Sequence, residues 1–168
     1  MTQGTKSDTS TRPGGAAAGA PKREARIEVT WAGEHRFDTG RPGGPTARLD
    51  GEGVTGQSPV DALLSALAAC SAVDVVDVLA KRRTPVGQLR VEARGERREE
   101  IPRRFTHVEL RYIVDGAGIE AAHVERAIAL SHEKYCSVAA TLDPELSVST
   151  VAIVNGVAGQ IQTGHRNR

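Results

Sequence analysis

Aromatic side chains are scarce in this 168-residue chain, which has one Trp, two Tyr and two Phe. Few rings remain on which bases could stack, and this argues against a single-stranded nucleic-acid platform. An excess of one charge is missing as well: 22 Lys and Arg stand against 21 Asp and Glu, with the signs mixed along the chain. A dedicated nucleic-acid binder would gather basic residues on one face. No uninterrupted apolar run reaches the ~18 residues of a membrane span. Residues 60–79 come nearest, and Asp61, Asp74 and Asp77 interrupt them. The first 24 residues hold no branched aliphatic or aromatic residue after Met1, so they lack the apolar centre of a secretion signal and read as a disordered tail. These absences point to a cytoplasmic protein without membrane or nucleic-acid partners, in a compartment where thiols stay reduced. Cysteine is limited to Cys70 and Cys136, too far apart for a CxxC redox motif or a zinc knuckle. The glycine-rich residues 41–57 have neither a Walker lysine nor dinucleotide glycine spacing, so they form a covering loop, with at most one short strand and a lesser chance of being a substrate lid.

What is present suits one α+β domain over residues 25–157, followed by a polar tail at 158–168. "RIEVTWAG" and "EHRFDTG" alternate as a β-hairpin. Ser58, Pro59 and Asp61 mark the start of a helix, as N-cap, first helical residue and first-turn acid. Thr84-Pro85 stops it after Arg83. Between Leu63 and Val73 this helix has no polar face, which predicts burial on every side and a partner chain covering what one sheet cannot. Residues 87–99 and 104–115 alternate as long antiparallel strands, residues 118–137 have helical spacing, and residues 145–156 close the fold as a strand.

From composition alone, Cys70 reads as an inert core thiol, because free cysteine is among the most buried residue types. Asp74 and Asp77 share its side of the helix, and nearby carboxylates oppose a thiolate. His132, four residues before Cys136, reads first as a satisfied surface histidine and second as a thiolate or metal partner, though a zinc site needs three or four ligands.

Two stretches carry more than spacing. "GQSPVDALLSALAACSAVDVV" (residues 56–76) resembles the first cysteine motif of the OsmC/Ohr family, the osmotically inducible and organic-hydroperoxide-resistance proteins, and "SHEKYCSVAATL" (131–142) resembles the second. The resemblance covers about residues 26–155 and points to the OsmC-like branch. It implies an intertwined homodimer of antiparallel sheets around a long buried central helix, with no metal or organic cofactor. It also implies thiol-dependent reduction of organic hydroperoxides. In that scheme Cys70 is the peroxidatic thiol, Cys136 the resolving thiol, and a dithiol, thioredoxin-like or lipoyl reductant reopens their disulfide. Arg36 is the choice for the arginine that stabilises the thiolate, with Arg41 and Arg48 as rivals, and Asp61 is the family acid. Val60 stands where the organic-hydroperoxide-resistance branch has that acid, and Ser137 where the family usually has proline. The alternative reading is an OsmC-fold dimer that holds a small apolar ligand without turnover.

Overall fold

The computed structural model describes residues 24–164; the expected tail at 1–24 lies almost wholly outside them. The expected hairpin forms from β1 (Glu28–Trp31) and β2 (Arg36–Gly40), and β3 (Thr46–Asp50) is the short strand allowed within the glycine-rich segment. The three pair antiparallel in the order β1-β2-β3. Register places Trp31, Phe37 and Leu49 side by side on one face, and the Asp38–Arg48 ion pair on the other.

The stretch after β3 is built, not loose. Asp50, almost fully buried, accepts hydrogen bonds from the Thr55 and Glu52 amides and from the Thr55 hydroxyl. Gly56 then passes so close to β3 that a Cβ there would collide with the Arg48 carbonyl. Those bonds, the Thr55 amide first, hold the Asp50 carboxyl down at about 2 from an ordinary 3.8. A carboxylate depressed in this way stabilises the fold above pH 4, and that stability is lost as pH falls towards 2. Asp50→Asn should therefore lower the melting temperature at pH 7, and the gap to the native chain should shrink at pH 2.

Helix α1 runs Pro59–Lys81, two residues shorter than the sequence suggests, because Arg83 turns to a positive φ of 63°. Its length and hydropathy would suffice to cross a membrane, but here it packs on β4 (Gln88–Arg97), on α2 (Ala121–Leu130) and on the segment beyond α2. Within the chain only one stripe of it is buried: Leu67, Ala68, Ser71, Val75 and Leu79. Leu63, Ala66, Ala69, Val73, Val76 and Ala80 form a second, exposed apolar stripe, on the side that the expectation of all-round burial left to a partner chain.

β4 pairs antiparallel with β5 (Phe105–Asp115), as expected. β5 pairs with β6 (Ser147–Val154) in parallel, because α2 crosses between them. The sheet also extends past the expected domain end at 157. β7 (Val157–Ala158) and β8 (Gln162–Gly164) fold back onto β6, where residues 158–168 were expected to trail off. The core lies between this sheet and the helices, with Tyr112, Leu110, Val108 and Val114 of β5 beneath Leu67, Val75 and Leu79 of α1.

Candidate functional site

The second helix does not continue to residue 137. After α2 the backbone widens into a π turn, Ser131–Tyr135, which closes with the Cys136 amide donating to the Ser131 carbonyl at 2.8 Å. Cys136 itself is extended and caps a short helix, α3 (Ser137–Thr141), where its sulfur accepts from the Ala139 amide at 3.3 Å. This break takes the thiol off the helical face on which sequence spacing put His132. His132 instead meets the buried phenol of Tyr112, with Nε2 3.0 Å from the hydroxyl.

Cys136 is buried and Cys70 half-buried, both as free thiols, and Cys70 packs against the core cluster that includes Cys136, near enough to act on its thiol. Burial first, and then the neighbouring Cys70 thiol, push the Cys136 thiol from 9.0 up to about 11, against the opposing amides of Ala139 and Val138. A thiol whose folded pKa is raised stays protonated in the native state while the unfolded chain ionises. The stability it confers is complete below pH 9 and lost as pH climbs towards 11. Urea unfolding at pH 8 and pH 11 should show a smaller loss of stability between the two for Cys136→Ala than for the native chain.

The structure does not gather the other two expected residues around the thiols of the same chain. Asp61 lies nine residues before Cys70, about 14 Å along the helix axis. It accepts from the Ser58 hydroxyl at 2.7 Å while its amide donates back to Ser58 Oγ at 3.1 Å, so it serves the helix cap. Arg36 reaches Glu34 at 3.0 Å within its own hairpin, and its buried Nε has no hydrogen-bond partner. Its rival Arg48 is held by Asp38 through two hydrogen bonds of 2.7 and 3.1 Å. Arg41 is exposed in the β2–β3 turn. Among the described residues no cluster of three or more His, Cys, Asp or Glu is placed to hold a metal ion.

Sequence reasoning missed a polar chain beneath the thiols. The Ser71 hydroxyl, one residue beyond Cys70, lies 2.7 Å from the Tyr112 hydroxyl, which in turn meets His132. Ser131 donates to Asp74 at 2.6 Å. No local spacing links residues so distant in the chain; the only signal was a tyrosine at an inward-facing strand position, where a buried phenol needs a partner.

Comparison with known proteins places this arrangement. The family model described as OsmC-like protein matches residues 50–151. Protein YhfA of Escherichia coli (strain K12) is 41% identical over 125 residues, covering 74% of this chain and 93% of YhfA. The crystal structure of a hypothetical protein from Aquifex aeolicus VF5 is 29% identical with a TM-score of 0.69, covering 80% of this chain and 99% of that one. An organic hydroperoxide resistance protein from Elizabethkingia anophelis shares the fold, with a TM-score of 0.59 at 17% identity over 80% of this chain and 99% of its own. The two cysteine-bearing segments, the sheet order and these matches agree: the chain belongs to the OsmC-like family.

Proposed function

We propose that this protein is a thiol peroxidase that reduces organic hydroperoxides. The observation that carries the reading is that Cys70 packs against the same core cluster as Cys136, the two thiols delivered there by α1 and by the break between α2 and α3. Cys70, the more exposed of the two, attacks the peroxide as its thiolate; the O–O bond breaks, the alkoxide leaves and takes up a proton as alcohol, and Cys70 becomes a sulfenic acid. Cys136 then closes a disulfide with Cys70, releasing water. An external dithiol reopens it by exchange.

The working unit in this reading is a homodimer. The exposed stripe on α1 includes Ala66, Ala69 and Ala80, small residues that let a second helix approach closely. Ile27, just before β1, and Val29 and Trp31 within it are each more than half exposed, and the main contact of the small sheet with the rest of its chain is β3 against α1. Two uncovered apolar surfaces on one chain fit a second copy of that chain. Arg36, whose free Nε is available, would then serve a thiol across the dimer. Asp61 keeps its capping role.

The test is steady-state consumption of cumene hydroperoxide by the reduced protein with a dithiol such as dihydrolipoamide. Turnover beyond two equivalents supports the reading. Intact hydroperoxide after an hour would overturn it in favour of the ligand-binding dimer, which the protonated Cys136 thiol and the capped Asp61 favour.

A further inference from the structure

The resolving thiol directly follows a π turn, and π geometry is rare and short. Something must hold it. Side-chain hydrogen bonds from the first two residues of the turn lead to one stretch of α1, one directly and one by way of β5. Ser131, fully buried, donates to Asp74 Oδ2 at 2.6 Å. His132 Nε2 meets the Tyr112 hydroxyl at 3.0 Å, and that hydroxyl meets Ser71 Oγ at 2.7 Å. Ser71 is the residue after Cys70, and Asp74 lies one helical turn beyond Cys70. Tyr112 is fully buried in the central strand and moves only if the sheet does. The segment carrying Cys136 is therefore tied at two points to the turn of helix carrying Cys70, once directly and once through the sheet.

We propose that Ser131–Asp74 and His132–Tyr112–Ser71 form a clasp that holds Cys136 against Cys70, making Tyr112 and Asp74 positioning residues for disulfide closure. The inference rests on the peroxidase reading for its biological setting. In that setting Cys136 sulfur bonds to Cys70 sulfur as the S–O bond of the sulfenic acid breaks, and the departing hydroxide takes the proton given up by Cys136, leaving as water. The first step, attack of Cys70 on peroxide, does not use the clasp. The hydrogen bonds that make up the two ties run between oxygen and nitrogen atoms and do not include either sulfur, so loss of the clasp should misplace Cys136 and spare Cys70.

The experiment needs no peroxide. Ellman's reagent, 5,5′-dithiobis(2-nitrobenzoate), forms a mixed disulfide on Cys70 of the reduced full-length protein and releases one thionitrobenzoate. Cys136 then displaces the second thionitrobenzoate and closes the internal disulfide, so two optical phases report the two thiols separately. Tyr112→Phe and Asp74→Ala should each slow the second phase about tenfold or more, the scale expected when a reacting group is misplaced by about an ångström. In Tyr112→Phe the first phase should stay within about twofold of the native chain, because reagent attack at Cys70 does not depend on where Cys136 sits, and in Asp74→Ala it should be no slower, because the carboxylate lost there opposes the Cys70 thiolate. Asp74→Asn, which can still accept from Ser131, should recover most of the second-phase rate. General loosening of the fold would change both phases and would not be rescued by asparagine. Second phases equal to the native rate in both clasp variants would overturn the inference, as would a native protein whose mass shows two thionitrobenzoate adducts and no internal disulfide. A protein that closes the disulfide with this reagent yet leaves hydroperoxide intact would refute the peroxidase reading and leave the clasp standing.

Discussion

Cys70→Ser should abolish hydroperoxide consumption, a loss of roughly a thousandfold or more, as expected when the nucleophile itself is removed. Serine has nearly the same shape, and Cys70 is only half-buried against the core, so the variant should fold and melt close to the native temperature. Cys136→Ser should behave differently. It retains the attacking thiol, so the first equivalent of peroxide is still reduced. With no resolving thiol, a Cys70 sulfenic acid should accumulate, reactive towards dimedone, and excess peroxide should carry it on to sulfinic acid. Stopped-flow single turnovers and intact mass on the two variants separate the roles. Equal loss of the first turnover in both would contradict the division of labour, since it would mean that the buried thiol attacks peroxide as well.

Val73→Asp should convert the protein from dimer to monomer. Val73 is 61% exposed in the chain alone, at the centre of the stripe from Leu63 to Ala80. A carboxylate there costs a monomer little. Between two helices pressed together it would be buried without a partner, and breaking the balance of a buried site in this way costs about 3 kcal/mol or more. Sedimentation should show the native chain as a dimer and Val73→Asp as a monomer with a lower melting temperature and lost peroxidase turnover. Ala121→Asp, in the exposed first turn of α2, where a negative charge suits the helix dipole, is the control and should stay dimeric. A native chain that sediments as a monomer at micromolar concentration would contradict the dimer and require another cover for α1.

Much of this fold was legible because local chemistry decided it. Ser58 and Pro59 set the start of α1, alternation set β4 and β5, and the quoted motifs around Cys70 and Cys136 carried the family. The failures have physical reasons. Alternation reports that a strand has one buried face and says nothing of its neighbour's direction, so the parallel pairing of β5 and β6 stayed hidden. Arg83 gave no sign of the positive φ that ends α1. Helical spacing continued through Ser131–Tyr135, but the turn there takes one extra residue, held by bonds to Asp74 and Tyr112 that lie far away in the chain. Asp61 was legible as a first-turn acid, and that role is the one its hydrogen bonds serve; its identification with the family's catalytic acid came from the motif. The thiol pair was legible as two motifs, and its placement at one core cluster required the fold.

The most direct test of the central claim is peptide mass mapping of the reduced protein before and after one equivalent of cumene hydroperoxide. The account predicts loss of both thiols and an intramolecular link between the peptides containing Cys70 and Cys136, absent from Cys70→Ser. Two free thiols persisting after minutes of exposure would contradict it.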